Sequence, residues 1–557
     1  MPNSARKHEG AKARKHEGTK VRSSFSVLNF HFAPSRLCAF APLTVGLALG
    51  ATATAAQSKA PAKAPDKSNI LFLIVDDLRP ELGCYGEKHM ITPHIDALAG
   101  DGTLFTRAYV QYAVSAASRA SFLTGCYPQT TGVGYPYSEY FVNTFLPSHP
   151  SIQKYMHEQG FYSRTLGKVH HGLGEELSEK HYSPKKSSAY LDPAHIAVEN
   201  NKQERPLYEF LPLEDNKYAD GQTAIETVQT IRRAVKSGKP FFIAAGFLKP
   251  HLPFVAPKRY YDMYEGREIP PCPFPTPTEG ETEWSRSFVN VNNFKGGFND
   301  ATHPVNFERA QELRRAYFAC ATFTDAQIGL VINELKKQGV YDNTAIILIG
   351  DHGWHLGDNA MWGKQANFER TTRTPLIIKS TGAKFLTSTD ALTEFVDIYP
   401  TICDFGNVST PQFVEGSSLA ALLRGERKEW KTAAFSEHPR GKVLGKAIRT
   451  DRYRYVEWRE NGNMLGHELY DHSIDPLESK NIAGANKKLC DQLSAQLKAG
   501  WRAALPAGVT NLSNNPVAPK SPGWGPEAKK EAAQKAVPKS EIGQLLDESK
   551  IKTVKSK

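Results

Sequence analysis

Residues Asn69-Ile-Leu-Phe-Leu-Ile-Val75 form an unbroken apolar run that ends at once in two acids, Asp76 and Asp77. Seven residues without polar alternation predict a strand buried on both faces of a parallel sheet. Two adjacent carboxylates at the end of such a strand repel each other and meet little water, so a cation is the simplest compensation. The same design recurs three times: 161–166 leads to Gly167-Lys168-Val169-His170-His171, 240–247 to Lys249-Pro250-His251, and 344–350 to Asp351-His352-Gly353. Amphipathic helical stretches at 219–237 and 309–339 lie between these runs, and another helix is signalled by Thr92 as cap, Pro93 at the first position and Ile95, Leu98 and Ala99 on one face. Alternating strand and helix predict an α/β fold with a large, mostly parallel sheet flanked by helices. In such sheets the ligand site lies beyond the carboxyl ends of the strands, so the four polar clusters should converge on one cleft.

A fifth stretch runs from Tyr112 through Ser115 and Arg119 to Leu123-Thr124-Gly125. Locally it reads as the start of a helix, with Ser115 capping an Ala-rich turn and Gly125 stopping it, and most serines in that setting are nothing more. The company Ser115 keeps changes its reading. Asp76, Asp77, Asp351 and His352 suit a cation, with Arg119, Lys168, His171, His251 and Lys364 around it. A hard divalent cation among several positive side chains is suited to holding a tetrahedral oxyanion ester.

The chain of 557 residues carries a net charge of +11, which invites a nucleic-acid reading until the charge is located. Residues 1–56 contribute +6 and residues 515–557 contribute +4, so the body is nearly neutral and no basic groove is indicated. Residues 1–56 hold a near-repeat, Ala-Arg-Lys-His-Glu-Gly at 5–10 and 13–18, then an apolar run rich in Ala, Leu and Gly from Leu37 to about Ala56. This pattern predicts a cleaved export signal, a linker at 57–67, and a secreted or periplasmic protein with no stable membrane insertion after signal removal. The seven cysteines show no CxxC pair, so no zinc ribbon is expected; six remain after signal removal, enough for one or two disulfides that sequence cannot pair.

The Pro-rich segment 257–305 lacks periodicity and reads as a surface excursion and candidate lid. Beyond residues 397–401 the character changes. Short antiparallel strands are expected at 433–438, 447–458 and 468–471, and a closing helix at 486–505. The implied organisation is a catalytic domain at 68–405, a smaller C-terminal α+β subdomain with an antiparallel sheet at 406–510, and a disordered basic tail at 511–557.

The motifs also resemble those of a known family. Asn69–Val75 with Asp76-Asp77-Leu78-Arg79-Pro80 is similar to the opening of sulfatases. Ser115-Ala-Ala-Ser-Arg119 with Leu123-Thr124-Gly125 resembles their signature, a Cys or Ser, a variable residue, Pro or Ala, a variable residue and Arg ahead of Leu-Thr-Gly. Gly167-Lys-Val-His-His171, Lys249-Pro-His-Leu-Pro-Phe254, Asp351-His-Gly-Trp-His-Leu-Gly357 and Trp362-Gly-Lys364 resemble the iduronate-2-sulfatase branch, and the match extends from about 68 to 480, including Leu469-Tyr-Asp471 and Asp475-Pro476. The resemblance implies an alkaline phosphatase-like fold and an exported hydrolase of sulfate esters of a sugar, such as a 2-O-sulfated uronic acid in a sulfated polysaccharide.

It further implies that Ser115 is oxidised to formylglycine, in the serine case by a dedicated sulfatase-maturating enzyme. One hydroxyl of the hydrated aldehyde attacks the ester sulfur; the other then loses its proton, sulfate leaves and the aldehyde re-forms. Asp76, Asp77, Asp351 and His352 would hold one Ca²⁺ with the modified Ser115, although the imidazole leaves another divalent metal open. Arg119 would favour the ionised nucleophile, Lys168, Lys364 and His251 would grip sulfate, and His251 would protonate the leaving alcohol. A Lys–His spacing of one selects His170, and the spacing of two in the iduronate branch selects His171, which is the reading adopted. Two rivals share the fold: a metal-dependent phosphatase or phosphodiesterase using unmodified Ser115, and a non-catalytic glycan-binding relative.

Overall fold

The computed structural model describes residues 67–133, 140–171, 181–184, 188–287, 291–296, 305–382 and 386–518. The stretch expected to be an export signal, the expected linker up to 66 and the expected tail from 519 lie outside the described residues. So do 134–139, 172–180, 185–187, 288–290 and 297–304 within the segments that flank the expected cleft. The described residues belong to one unit spanning Lys63–Lys557.

Eight strands build the main sheet: β1 (Asn69–Val75), β2 (Thr103–Phe105), β3 (Tyr162–Gly167), β4 (His181–Tyr182), β5 (Phe241–Phe247), β6 (Thr344–Gly350), β7 (Leu376–Lys379) and β8 (Ser388–Thr389). Their order is β8-β2-β7-β6-β1-β5-β3-β4. Only β7 runs against its neighbours, so the sheet is mostly parallel as the apolar runs predict. β1 is central and its side chains alternate between two cores. Leu71, Leu73 and Val75 pack with Ile231, Leu313 and Phe318 from helices on one face; Ile70, Phe72 and Ile74 pack with Phe122, Ile398 and Ile402 on the other. Each such side chain contributes roughly 1.5–3 kcal/mol by leaving water, which is why neither face of the run can be polar.

The flanking helices are α1 (Pro93–Asp101), α2 (Ser115–Thr124), α3 (Ala219–Ser237), α4 (Phe307–Lys337) and α5 (Ile398–Phe405). Thr92 does not cap α1 with its side chain: its Oγ1 accepts from the Gly83 amide and donates to Asp96. The orphan amides of His94 and Ile95 instead donate to Asp325, at 3.3 and 2.7 Å, so the cap comes from α4. The six described cysteines are all free thiols, so the disulfides considered from sequence do not form.

Four antiparallel strands form the C-terminal sheet in chain order: β9 (Ala433–Arg440), β10 (Val443–Thr450), β11 (Tyr453–Glu460) and β12 (Asn463–Asp471). The single strand expected at 447–458 is thus two strands. Asp451 and Arg452 break its apolar pattern, and the Tyr453 amide donates to Thr450 Oγ1 across the turn. The closing helix is also shorter than expected: α6 (Lys487–Ala499) stops at Gly500, whose φ of 76° cannot continue it, and a separate turn of 3₁₀-helix follows at Trp501–Ala504.

The described part of 257–305 is not a free lid. Thr278 Oγ1 donates to the Glu478 carbonyl, the Thr282 amide donates to Glu468, and Trp284 packs beside Trp458, which ties the excursion to the C-terminal sheet. Residues 511–518, assigned from composition to the tail, are irregular but bonded: Asn515 Nδ2 donates to the Phe413 carbonyl and the Ala518 amide to the Gln129 carbonyl. Among the described residues no helix is long and apolar enough to cross a membrane.

Candidate active site

Strand register brings the polar clusters together. Val75 pairs with Gly350 of β6 and Phe247 of β5, and Gly167 of β3 pairs with Gly246, so four adjacent strands end at one level. Glycines let the chain leave that edge tightly: a Cβ on Gly246 would lie 2.0 Å from the Lys168 carbonyl. α2 supplies the fifth element, because Val114 is its N-cap and Ser115 its first helical residue. This corrects the capping role expected of Ser115. Its Oγ makes no cap bond and points instead to Asp76 Oδ1 at 3.0 Å, His352 Nε2 at 3.1 Å and Lys364 Nζ at 3.4 Å.

Asp76, Asp77, Asp351 and His352 each place a ligand atom within 4.8 Å of the others, and all four are buried. Asp77 adopts φ 61°, a left-handed conformation that Asp tolerates better than most residues. It is held there by its amide, which donates to Asp351 Oδ1 at 2.9 Å, and by its carbonyl, which accepts from Tyr317 at 2.8 Å. Burial, with Asp76 and Asp351 nearby, pushes the Asp77 carboxyl up to about 7 against the pull of Lys364. Burial also penalises ionised Asp76, but Lys168, His251, Arg119 and Lys364 outweigh it and hold that carboxyl well below its usual range.

The residues present fit a divalent cation. Asp77 Oδ2 is buried and has no hydrogen-bond partner, which is costly for a carboxylate oxygen unless something else satisfies it. His352 Nδ1 lies 3.0 Å from the Gly353 carbonyl, which can only accept, so Nδ1 carries the proton and Nε2 turns a lone pair toward the carboxylates. Burial lowers that imidazole to about 4, keeping it neutral as a ligand must be.

Positive groups surround the carboxylates. Arg119 is fully buried and donates to Asp351 through Nε at 3.0 Å and to the Val169 and Lys168 carbonyls through Nη1. It thus braces the acids and the Lys168 loop together. Lys168 contacts Asp76 Oδ2, and Lys364 lies 2.5 Å from Asp77 Oδ1 with its ammonium over the Trp354 ring. His251 Nδ1 bonds the Leu252 carbonyl at 2.5 Å and Nε2 stands 3.9 Å from Asp77 Oδ2, with about 36% of the side chain exposed. Desolvation holds it below the ordinary imidazole range despite the pull of Asp76.

The two histidines after Lys168 part company. His170 is buried with Nε2 2.6 Å from Gln153, facing away toward His181, whereas burial and then Lys168 press His171 down to about 3. Lys168, Asp76 and Lys364 act on His171 and not on His170, while Arg119 acts on both.

Several supporting residues carry no signal in sequence. Ser118 donates to the Asp351 carbonyl, Tyr317 bridges Arg79 and Asp77, and Asp220 accepts from the Leu248 and Lys249 amides to fix the turn before His251. Lys249 itself donates to the His251 and Pro253 carbonyls. Such residues belong to amphipathic helices and turns, where only the tertiary contact distinguishes them.

A profile of the family described as Sulfatase matches residues 68–408, and one described as N-sulphoglucosamine sulphohydrolase, C-terminal, matches residues 350–503. Iduronate 2-sulfatase of Mus musculus is 30% identical over 534 residues, covering 79% of this chain and 95% of that protein. Delta 4,5-hexuronate-2-O-sulfatase of Bacteroides thetaiotaomicron is 29% identical, covering 76% of this chain and 86% of that protein. The structure of a phosphonate monoester hydrolase from Silicibacter pomeroyi aligns with a TM-score of 0.64 and 25% identity, over 79% of this chain and 96% of that one.

Proposed function

Because this chain belongs to the sulfatase family, a family of sulfuric ester hydrolases, we propose that it removes sulfate from an acidic sugar, with a 2-O-sulfated uronic acid or a related sulfated polysaccharide as substrate. The observation that carries the reading is the meeting of Asp76, Asp77, Asp351 and His352 within reach of Ser115 Oγ, with Lys168 and Lys364 on the same edge. Relatives named for hexuronate and iduronate 2-O-sulfates support the substrate class. An export signal at 1–56 accords with a polymeric substrate met outside the cytoplasm.

Oxidation of Ser115 to formylglycine by a serine-type maturating enzyme would supply a hydrated aldehyde whose hydroxyl is the nucleophile. One Ca²⁺ held by Asp76, Asp77, Asp351, His352 and residue 115 would supply positive charge to the sulfate oxygens. The chain's own groups do the rest. The first turn of α2 aims its free amides and the positive end of its dipole at the site, favouring an ionised oxygen at residue 115. Arg119 pairs with both Asp76 and Asp351 and fixes their positions. Lys168 and Lys364, each already against a site carboxylate, stand where charge builds on a transferring group. His251 has its Nε2 directed inward by the Nδ1 bond to Leu252, and in its doubly protonated form it would pass the Nε2 proton to the leaving oxygen.

A phosphomonoester or phosphonate hydrolase using unmodified Ser115 is the second reading, favoured by the structural likeness to a phosphonate monoester hydrolase. A second metal would help such chemistry. The other acid–histidine group among the described residues, Glu369, His472 and Glu478, is already bonded to Arg449 and Arg454. Mass spectrometry of the Ser115 peptide from protein made in its own host, with turnover of paired aryl sulfate and phosphate esters, tests the choice. Serine short of two hydrogens and sulfate turnover are expected. Intact serine in an active enzyme overturns the formylglycine step, phosphate preference favours the rival, and sugar binding without turnover of either ester favours a glycan-binding relative.

A further inference from the structure

β9 runs beside the chain that leads into Ser115. Ser436 Oγ donates to the Val110 carbonyl at 2.7 Å, the Glu437 amide to the Gln111 carbonyl at 2.8 Å, and the His438 ring meets Tyr112 edge to face at 5.0 Å. Successive residues of β9 thus track successive residues of 110–112 in the same direction. Continued for two residues, this register puts Arg440, the last residue of β9, level with the start of α2. Two bonds agree with that placement: the Gln365 amide donates to the Ala113 carbonyl at 3.2 Å, and the Gln365 carbonyl accepts from Arg440 Nη2 at 2.5 Å. Gln365 follows Lys364 directly, so Arg440 rests on the loop that brings Lys364 to the site.

Arg440 is half-buried, and among the described residues it has no carboxylate within ion-pair distance. Its Nε donates to the Trp284 carbonyl at 3.0 Å. Nη1 makes no bond among the described residues. Tyr112 and then Glu468 act on it from a distance, and the Glu468 carboxylate is already bonded to Thr282, Ser285 and Tyr470. Burial lowers the guanidinium to about 10, still fully charged at neutral pH. A planar cation with no acid in ion-pair distance among the described residues, at the meeting point of the C-terminal hairpin, the Lys364 loop and the 257–305 excursion, is built to meet an anion from outside the chain.

We propose that Arg440 is a specificity-determining residue that binds a second anionic substituent of the sugar, a carboxylate or a sulfate other than the one cleaved. The inference rests on the sulfatase reading and adds to it the residue that makes an acidic sugar the preferred substrate.

The test compares the wild-type enzyme with R440Q and R440K on three sulfate esters: 4-nitrophenyl sulfate, a 2-O-sulfated uronide disaccharide, and a glucosamine disulfate that carries no carboxylate. R440Q should lower kcat/KM on a doubly anionic substrate about 10- to 100-fold, chiefly through KM, with partial rescue in R440K and aryl sulfate turnover within about twofold. Loss confined to the uronide assigns a carboxylate partner, and loss confined to the disulfate a second sulfate. Equal loss on all three esters, or none on any, overturns the proposal, the first outcome marking Arg440 as a strut for Trp284 and Gln365. Calorimetry with the desulfated uronide disaccharide and with unsubstituted glucosamine 2-sulfate needs no turnover. If wild type cleaves no sulfate ester, the sulfatase reading fails, while weaker binding of either sugar by R440Q still supports the anion site and unchanged binding of both overturns it.

Discussion

Ser115 Oγ lies 3.0 Å from Asp76 Oδ1, although 39 residues separate them and they sit on a helix start and a strand end. The contact is possible because α2 packs Phe122 and Leu123 on the face of β1 that holds Ile70, Phe72 and Ile74. Apolar packing therefore sets the distance between the two polar groups that the proposed chemistry needs.

Replacing Ser115 by Ala should reduce sulfate-ester turnover by at least about 10³-fold, because no other hydroxyl occupies that point. The fold should lose no more than about 1 kcal/mol, since Asp76 keeps Lys168 and Arg119. Steady-state kinetics and urea unfolding check the two halves of this expectation.

Metal removal should act through Asp77. Ca²⁺ added to chelator-treated protein is expected to raise Tm in the wild type by mass action. In D77N, which replaces the orphaned Oδ2 with an amide or a neutral oxygen, calorimetry should show at least about tenfold weaker Ca²⁺ binding and a smaller Tm rise. Equal affinity in both proteins would exclude Asp77 as a ligand.

Lys431 provides a contrast. Its buried ammonium lies 2.9 Å from Glu394 and 2.7 Å from Asp397, and neither acid belongs to the candidate site. K431M should destabilise the protein by about 3–5 kcal/mol through two uncompensated acids, while kcat and Ca²⁺ affinity of the folded fraction stay unchanged. Urea midpoints together with activity per folded molecule separate the effects.

Asp325, which caps α1 from α4, should give stability a distinctive pH dependence. Burial raises its carboxyl to about 7 despite the His94 and Ile95 amides. With its folded pKa above the unfolded value, the folded chain binds the proton more tightly. The contribution is therefore present below about pH 4 and lost as pH rises through 7, amounting to up to about 4 kcal/mol. D325N lacks this titration and should gain on the wild type between pH 4.5 and 7.5 in urea unfolding; a constant difference would refute the shifted carboxyl.

Much of this was legible in the chain alone. The unbroken run Asn69–Val75 required cover on both faces, which dictated a parallel α/β sheet, and strand ends rich in Asp, His and Lys marked where the ionisable residues converge. Asp76, Asp77, Asp351 and His352 could be grouped because each directly follows such a run. Local periodicity misread what depends on a turn: residues 447–458 look continuous until Asp451 and Arg452 fold them back.

Sequence by itself determined which residue types reach the edge of the sheet, since strand periodicity and burial leave few places for an ionisable group. Tertiary structure alone decided their roles. It turned Ser115 from a cap into a site hydroxyl, sent His170 to Gln153 and left His171 beside Lys168, bonded Lys249 to backbone carbonyls, and set Arg440 beside the Lys364 loop with no acid in ion-pair distance among the described residues. Those outcomes rest on contacts whose direction and distance follow from packing, from Lys249 with carbonyls two and four residues on to Ser115 with His352, 237 residues away, and no local pattern records them.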